Sequence, residues 1–198
     1  MPRAKRTEQE IEEMRGRILE AALALLQQDG PEGVSIRKIA DRIGVSHMLL
    51  YSYFKNRAAI LQALRDRGFQ EMEAFCTASL RSAESGDALV EVRALLGRFI
   101  RLSHEHPMLY QIAWRRDSSL RADPQNMTRV LGHLSQLIQL CIARGQCIER
   151  DPALAAAMAF SIVNGTLLMY HNVAAIGNIA QDRMEAEMIE AAITYLSK

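Results

Sequence analysis

Residues 33–54 read GVSIRKIADRIGVSHMLLYSYF, from Gly33 to Phe54, and this stretch decides the fold. Ser35 is a good N-cap for a short helix from Ile36 to about Arg42. Gly44 can take the left-handed conformation that a helix C-terminus needs. Ser46 caps a second helix carrying Leu50 and Phe54. A short helix, a tight glycine turn and another short helix form the plan that places one helix in the DNA major groove. Helical phase sharpens this. At about 100° per residue, Leu50 and Phe54 lie together and would pack on Ile36, Ile39, Ala40 and Ile43. Met48 and Ser52 then point the other way, with Leu49 beside them. Tyr51 and Tyr53 sit on the flanks, where phenol hydroxyls reach phosphate oxygens. Ser35 and Ser46 expose helix N-termini, whose free amides and dipole ends also suit phosphate.

Charge agrees with a polyanionic partner, although the whole chain carries only +1. Between residues 33 and 57, Arg37, Lys38, Arg42, Lys55 and Arg57 stand against one acid, Asp41. Arg3, Lys5 and Arg6 add a basic arm at residues 1–7, either reaching along the backbone or minor groove or remaining a solvated tail. Beyond residue 60 the signs nearly cancel, so the positive footprint is local.

Outward from this core, helical spacing dominates and no useful strand alternation appears. Thr7 with Glu10 forms a capping box opening a helix through Ile11, Ile18, Ala22 and Leu25, broken at Gly30–Pro31. Asn56 starts a long helix to about Leu80, and residues 82–87 read as a loop. Asp87 caps a helix to about His104, and Pro107 opens a short one through Trp114. Residues 117–123 are another loop, and Pro124 begins a helix through Cys141. Asp151–Pro152 pairs a capping residue with proline at the first helical position of a helix to about Ala175. Asp182 with Glu185 reads as the capping box of the last helix. The expectation is an all-α chain of about nine helices. A three-helix helix-turn-helix domain occupies residues 1–56, and a helical effector-binding and dimerisation domain occupies residues 57–198.

With 49% apolar and 24% charged residues the chain has the composition of a folded globular protein, which excludes a disordered one. The three cysteines have no metal-ligand spacing and suit a reducing compartment. Cys141 and Cys147 read as lone buried thiols, with a redox switch as the alternative. No basic-then-apolar leader is present, and no apolar run approaches the ~18 residues of a membrane span, so the expected location is the cytoplasm. No Walker loop, dinucleotide fingerprint or metalloprotease motif occurs. In His104-Glu105-His106 the two histidines lie on different helix faces, which points to a surface or capping role rather than a metal site. The chain reads as no enzyme, without metal or cofactor.

The central segment resembles the TetR/AcrR family of bacterial regulators. The resemblance rests on Gly30 and Gly33, on Ser35-Ile36-Arg37-Lys38-Ile39-Ala40, on Gly44-Val45-Ser46, and on Leu50-Tyr51-Ser52-Tyr53-Phe54-Lys55. It covers residues 14–64, with a fainter likeness in residues 145–152 and at Asn164-Gly165. It implies phosphate contacts from Ser35, Arg37, Tyr51, Tyr53 and Lys55, and base contacts from His47, Met48, Leu49 and Ser52. Many members carry a small residue where Met48 stands and a polar one at Leu49. An apolar groove face reads thymine methyl groups instead.

Two recognition helices one DNA turn apart require a dimer. The small residues Ala155, Ala156, Ala159, Gly165 and Ala174 and the apolar stripe Met188, Ile189, Ala192, Ile193 and Leu196 make the last two helices the expected interface, as a four-helix bundle, over a purely intramolecular core. The resemblance further implies a pocket among the middle helices. Met72, Phe75, Phe99, Tyr110, Trp114, His133, Leu137, Asn164, Met169 and Tyr170 supply aromatic and thioether walls with a few polar groups, and no acidic cluster. The implied effector is small and apolar or weakly polar. Taken together, the expectation is a homodimeric repressor of a palindromic operator on double-stranded DNA, released by that effector. The alternative is an architectural or protein-partnered DNA binder of the same fold.

Overall fold

The computed structural model describes residues 7–114, 124–173 and 179–197. The basic residues Arg3, Lys5 and Arg6, the expected loop at 117–123 and Ala174 lie outside them. Among the described residues the chain is all-α, with nine helices and no strand. They are α1 (Glu8–Gly33), α2 (Ile36–Ile43), α3 (His47–Tyr51), α4 (Arg57–Ser85), α5 (Ala88–Glu105), α6 (Pro107–Trp114), α7 (Pro124–Ala143), α8 (Pro152–Asn172) and α9 (Gln181–Ser197).

The caps follow the sequence closely. Thr7 and Glu10 form the reciprocal capping box of α1, and the helix breaks at Gly30, where φ is 72° and ψ −177°. Ser35, Ser46 and Asp151 each accept a hydrogen bond from the backbone N–H three residues on, opening α2, α3 and α8. Asn56 does the same for α4, and Asp87 accepts from Leu89 and Val90 at the start of α5. Two expectations differ. Helix α4 continues to Ser85, through part of the expected loop, because nothing between Leu80 and Ser85 is a helix breaker. Asp182 lies inside the first turn of α9, where its carboxylate accepts from the neighbouring Arg183 N–H, so it is not the cap.

The helices gather into two compact units. The first takes the chain up to Gly68 together with α6. Its core is Ile18, Ala22, Leu25 and Leu26 from α1, Val34, Ile39 and Ala40 around α2, Leu50 from α3, Phe54, then Ile60, Leu61 and Leu64 from α4 and Ile112 from α6. The expected boundary between residues 56 and 57 therefore falls short of this packing, since the first turns of α4 bury their apolar face here. Ile11, expected on the same stripe of α1, is 39% exposed, lying a full turn beyond the last residue this core covers.

The second unit holds the rest of α4 with α5, α7, α8 and α9. Helix α8 packs against α7, α9 and α5. Ala155, Ala156, Ala159, Phe160, Val163 and Leu167 are its buried face. By length and composition alone α8 could cross a membrane, which the count of uninterrupted apolar residues did not suggest. Its apolar composition also fits a helix that buries one face in the second unit, as here.

Candidate nucleic-acid interface

The candidate surface is built by α1, α2 and α3. Helix α2 ends where Gly44 turns left-handed, at φ 71° and ψ 38°, and its amide donates to the Ala40 carbonyl. That sharp stop lets Ser46 begin α3 two residues later. Leu50 is fully buried and Phe54 nearly so, and both join Ile39 and Ala40 in the core, with Ile36 and Ile43 packed beside them. The outward side of α3 is correspondingly open. Met48 is 78% exposed and Tyr51 54%, while His47 and Ser52 are exposed and Leu49 is half-buried.

The remaining expected contacts frame this helix. Ser46, Lys55 and Arg37 are exposed, and Ser35 and Tyr53 half-buried. Ser52 Oγ donates to the Leu49 carbonyl at 2.6 Å, so its hydroxyl oxygen stays available to accept. His47 Nε2 lies 3.5 Å from Asp41 Oδ1, and Arg37 Nε 3.9 Å from Asp41 Oδ2, so the single acid of the segment sits between two candidate contacts.

Charges that the sequence counts together have different uses. Lys38 Nζ pairs with Asp29 at 2.9 Å. Arg57 donates from Nε to the Val34 carbonyl at 2.9 Å and from Nη2 to the Pro31 carbonyl at 2.5 Å, holding the turn between α1 and α2. The basic footprint is therefore narrower than the composition suggests, with Arg37, Arg42 and Lys55 its outward members. Two residues the motif reading passed over support α3 from behind. Arg17 Nη2 reaches the Ile43 carbonyl at 3.3 Å, and Arg15 Nη1 the Tyr53 carbonyl at 3.1 Å. Arginines on a helix otherwise lined with acids were the available signal.

Residues 18–64 match the family model described as bacterial regulatory proteins, tetR family. This segment is similar to the DNA-binding part of the tetR family. The tetracycline repressor protein class A from transposon 1721 of Escherichia coli is 43% identical over 49 residues, 25% of this chain and 23% of that one. The nucleoid occlusion factor SlmA of Haemophilus ducreyi is 30% identical over 112 residues, 56% of this chain and 54% of its own. The chain spans about half or less of the length of these curated relatives. A crystal structure of the transcriptional regulator FadR from Bacillus subtilis in complex with stearoyl-CoA shares the fold, with a TM-score of 0.73 at 19% identity, covering 90% of this chain and 97% of that one.

The residues expected to line a pocket do not form one set. Tyr110 and Trp114 belong to the first unit, their rings 6.2 Å apart. In the second unit Met72, Leu137 and Asn164 are buried and Phe75, Phe99, His133 and Tyr170 half-buried. Phe99 packs against Phe160 with tilted rings, 4.8 Å between centroids. His133 Nδ1 is sealed from solvent without a hydrogen-bond partner. Met169 is 51% exposed on the outer side of α8, a position that i, i+4 spacing from the small Gly165 could have revealed.

The expected interface residues divide in the same way. Ala155, Ala159, Met188, Ala192, Ile193 and Leu196 are all buried within one protomer, and Ile189 packs its Cδ1 over Gly97 of α5. A stripe at helical spacing looks alike whether it meets its own chain or another, and here it meets its own. Gly165 is the exception. It lies on an outer face of α8 with Leu154, Met158, Ser161 and Met169.

The histidines are also differently placed. His104 does not cap or decorate the surface. Its ring packs edge-on to Tyr170 at 5.3 Å, lies 5.5 Å from His171, and sets Nε2 3.7 Å from Glu185. Burial lowers the pKa of both imidazoles; Glu185 opposes this at His104, and His104 reinforces it at His171. His106 instead meets Gln27 through Nδ1 at 2.9 Å.

Proposed function

We propose that this chain is a sequence-specific DNA-binding transcriptional regulator, a homodimeric repressor of a palindromic operator. The observation that carries the reading is the two-sidedness of α3: Leu50 and Phe54 anchor it, while Met48, Tyr51 and Ser52 stand free. A helix held this way enters the major groove with its outer side against base edges and its flanks against phosphates. Tyr51, Tyr53, Lys55, Arg37, Ser35 and Ser46 are the proposed backbone contacts, and His47, Met48, Leu49 and Ser52 the proposed base contacts. Apolar side chains at the centre favour thymine methyl groups.

Two half-sites one helical turn apart need two copies. The exposed stripe Leu154, Met158, Ser161, Gly165 and Met169 supports α8 as the face where they meet. Its members recur every three or four residues, and its small members allow close helix approach. The domain reading follows: residues up to the start of α4 touch DNA, and the remainder pairs the subunits. Regulation by a small apolar or weakly polar effector is supported by the partnerless His133 Nδ1, in the same unit as the apolar Met72, Phe75, Phe99 and Leu137, because a sealed imidazole nitrogen calls for a hydrogen-bonding ligand. Such a ligand acts only through unequal affinity for the DNA-competent and incompetent states. The reading needs no catalysis, metal or cofactor, and it operates in the cytoplasm.

The likeness to SlmA supports a second reading, an architectural or protein-partnered DNA binder without a small effector. Selection of bound fragments from random DNA, at stated salt concentrations, separates the outcomes. One palindrome bound with steep salt dependence, near few genes, fits the repressor. Many scattered sites indifferent to small molecules fit the second reading. Absence of any selected sequence overturns both.

A further inference from the structure

Helix α7 ends in a tight turn that brings two cysteines together. Gln146 N–H donates to the Cys141 carbonyl at 2.8 Å and Gly145 N–H to the Ile142 carbonyl at 3.0 Å, with Gly145 at φ 69°. This is the Schellman arrangement, and glycine supplies its left-handed residue without a Cβ penalty. The chain doubles back so closely that Cys147 N–H also faces the Cys141 carbonyl, at 3.4 Å. The two side chains lie within hydrogen-bonding reach of each other, and both thiols are free.

The turn is fastened on three sides. Arg144 donates to the carbonyls of Ala83 at 2.7 Å, Gly86 at 2.6 Å and Glu84 at 3.0 Å, at the end of α4. Gln146 Nε2 bonds the Asp87 carboxylate that caps α5, and Ile148 N–H bonds the Leu196 carbonyl of α9. Cys147 is therefore held against Cys141 by backbone on either side of it. Nothing in the reading of DNA uses either thiol.

We propose that Cys141 and Cys147 are a reversible dithiol–disulfide pair, oxidised by hydroperoxides, with Cys147 attacking and Cys141 resolving. The order follows from placement. Cys141 is wholly buried, whereas Cys147 is 8% exposed in a surface turn next to exposed Gly145 and Glu149. Burial pushes both thiols up, Cys141 to about 12, so access decides which sulfur meets the oxidant first, and Cys147 is the more accessible. In the first step the Cys147 thiolate displaces the hydroperoxide O–O bond, giving a sulfenic acid and, once protonated, an alcohol or water. In the second the Cys141 sulfur attacks the sulfenic sulfur, its proton leaves with the hydroxyl as water, and the disulfide forms. Two thiols and one hydroperoxide thus yield one disulfide, one alcohol and one water. Because the pair is buried, the reaction is slower than that of an exposed low-pKa thiol and waits on fluctuation of the turn.

The third cysteine provides an internal control. Cys76 is wholly buried on α4 beside Glu73, and its thiol is pushed up to about 11. The test treats the full chain with hydrogen peroxide, counts free thiols after denaturation and maps peptides by mass spectrometry. The expected result is joint loss of two of the three thiols, a mass lower by two hydrogen atoms, a peptide linking Cys141 to Cys147, and full recovery with dithiothreitol. In Cys147→Ser, Cys141 oxidises no faster than Cys76. In Cys141→Ser, Cys147 stops as a sulfenic acid that dimedone traps. Loss of Cys76 at the same rate as the pair, links between chains only, or oxidation to sulfinic acid without a link each overturns the proposal. The wild-type peptide map decides the matter even if a serine variant misfolds.

Discussion

The guanidinium of Arg15 stands over the ring of Phe54, 4.5 Å from its centroid, and also donates to the carbonyl of the preceding residue, Tyr53, at 3.1 Å. One side chain of α1 thereby covers the ring that anchors α3 and satisfies a carbonyl just beyond that helix. Cation–ring attraction and a charge-assisted hydrogen bond together stabilise this corner by about 1–3 kcal/mol, with the lower part of that range favoured because Arg15 is partly exposed. Arg15→Ala should lower the unfolding free energy by about 1–2 kcal/mol in urea and weaken DNA binding at every sequence alike. Arg15→Lys should recover only part of the loss, since an ammonium does not reproduce the planar fork. A variant as stable as the parent would show that the ring is held by the core alone.

Leu49 and Met48 should set base preference. Leu49→Asn exchanges an apolar edge for an amide that pairs with adenine, so the selected half-site should change at one or two positions, each by about 1–3 kcal/mol. Tyr51→Ala should weaken all sites together, leaving their ranking intact. Competition binding against a panel of single-base variants checks both. A ranking disturbed by Tyr51→Ala and untouched by Leu49→Asn would reverse the two roles.

Arg37 and Arg57 carry the same charge to different ends. Arg37 is 83% exposed, with only a 3.9 Å approach to Asp41. Arg37→Gln should reduce the slope of log affinity against log salt by about 1. Arg57 bonds two carbonyls of the turn before α2, so Arg57→Gln should leave that slope nearly unchanged and lower the melting temperature. Titrations at several salt concentrations, beside thermal melts, read the two effects apart.

These contrasts show what was legible in the chain. Local signals were almost fully readable: the Thr7–Glu10 box, the caps at Ser35, Ser46 and Asp151, and the glycine at 44 each depend on atoms within four residues. The phase of α3 was readable because Leu50 and Phe54 have only one core to enter. What the sequence hid was partner choice. Met188, Ala192 and Leu196 make the same stripe whether they meet α8 of their own chain or of another, and only coordinates show them buried at home. His104 was read with its sequence neighbour His106, whereas its spatial neighbours, His171 and Glu185, lie more than sixty residues away. Arg57 counts as positive surface in the sequence, whereas its guanidinium bonds two backbone carbonyls.

The histidine cluster makes stability depend on pH. Desolvation lowers the folded-state pKa of His104 and His171 below the ordinary 6.5, so the unfolded chain binds protons more readily. Their contribution is fully present above about pH 6.5 and is lost as pH falls through that value toward the folded ones. The melting temperature should hold steady between about pH 7 and 8 and drop below about 6.5. His104→Phe should flatten that acid limb. An unchanged limb would place the acid sensitivity elsewhere in the chain.

The outer face of α8 supplies the sharpest test of pairing. Met158 is 43% exposed and Leu154 60%, whereas Ala159, one residue along, is wholly buried. A charge placed at Met158 stays in water in a lone protomer but is desolvated without a partner if a second copy packs there, a penalty of several kcal/mol. Met158→Glu should therefore yield a folded monomer with native helicity and sharply reduced operator affinity. Ala159→Glu should instead destabilise the protomer itself, because the charge enters its own core. Analytical ultracentrifugation with circular dichroism distinguishes the two. A Met158→Glu protein that remains dimeric would move the subunit contact off this face of α8.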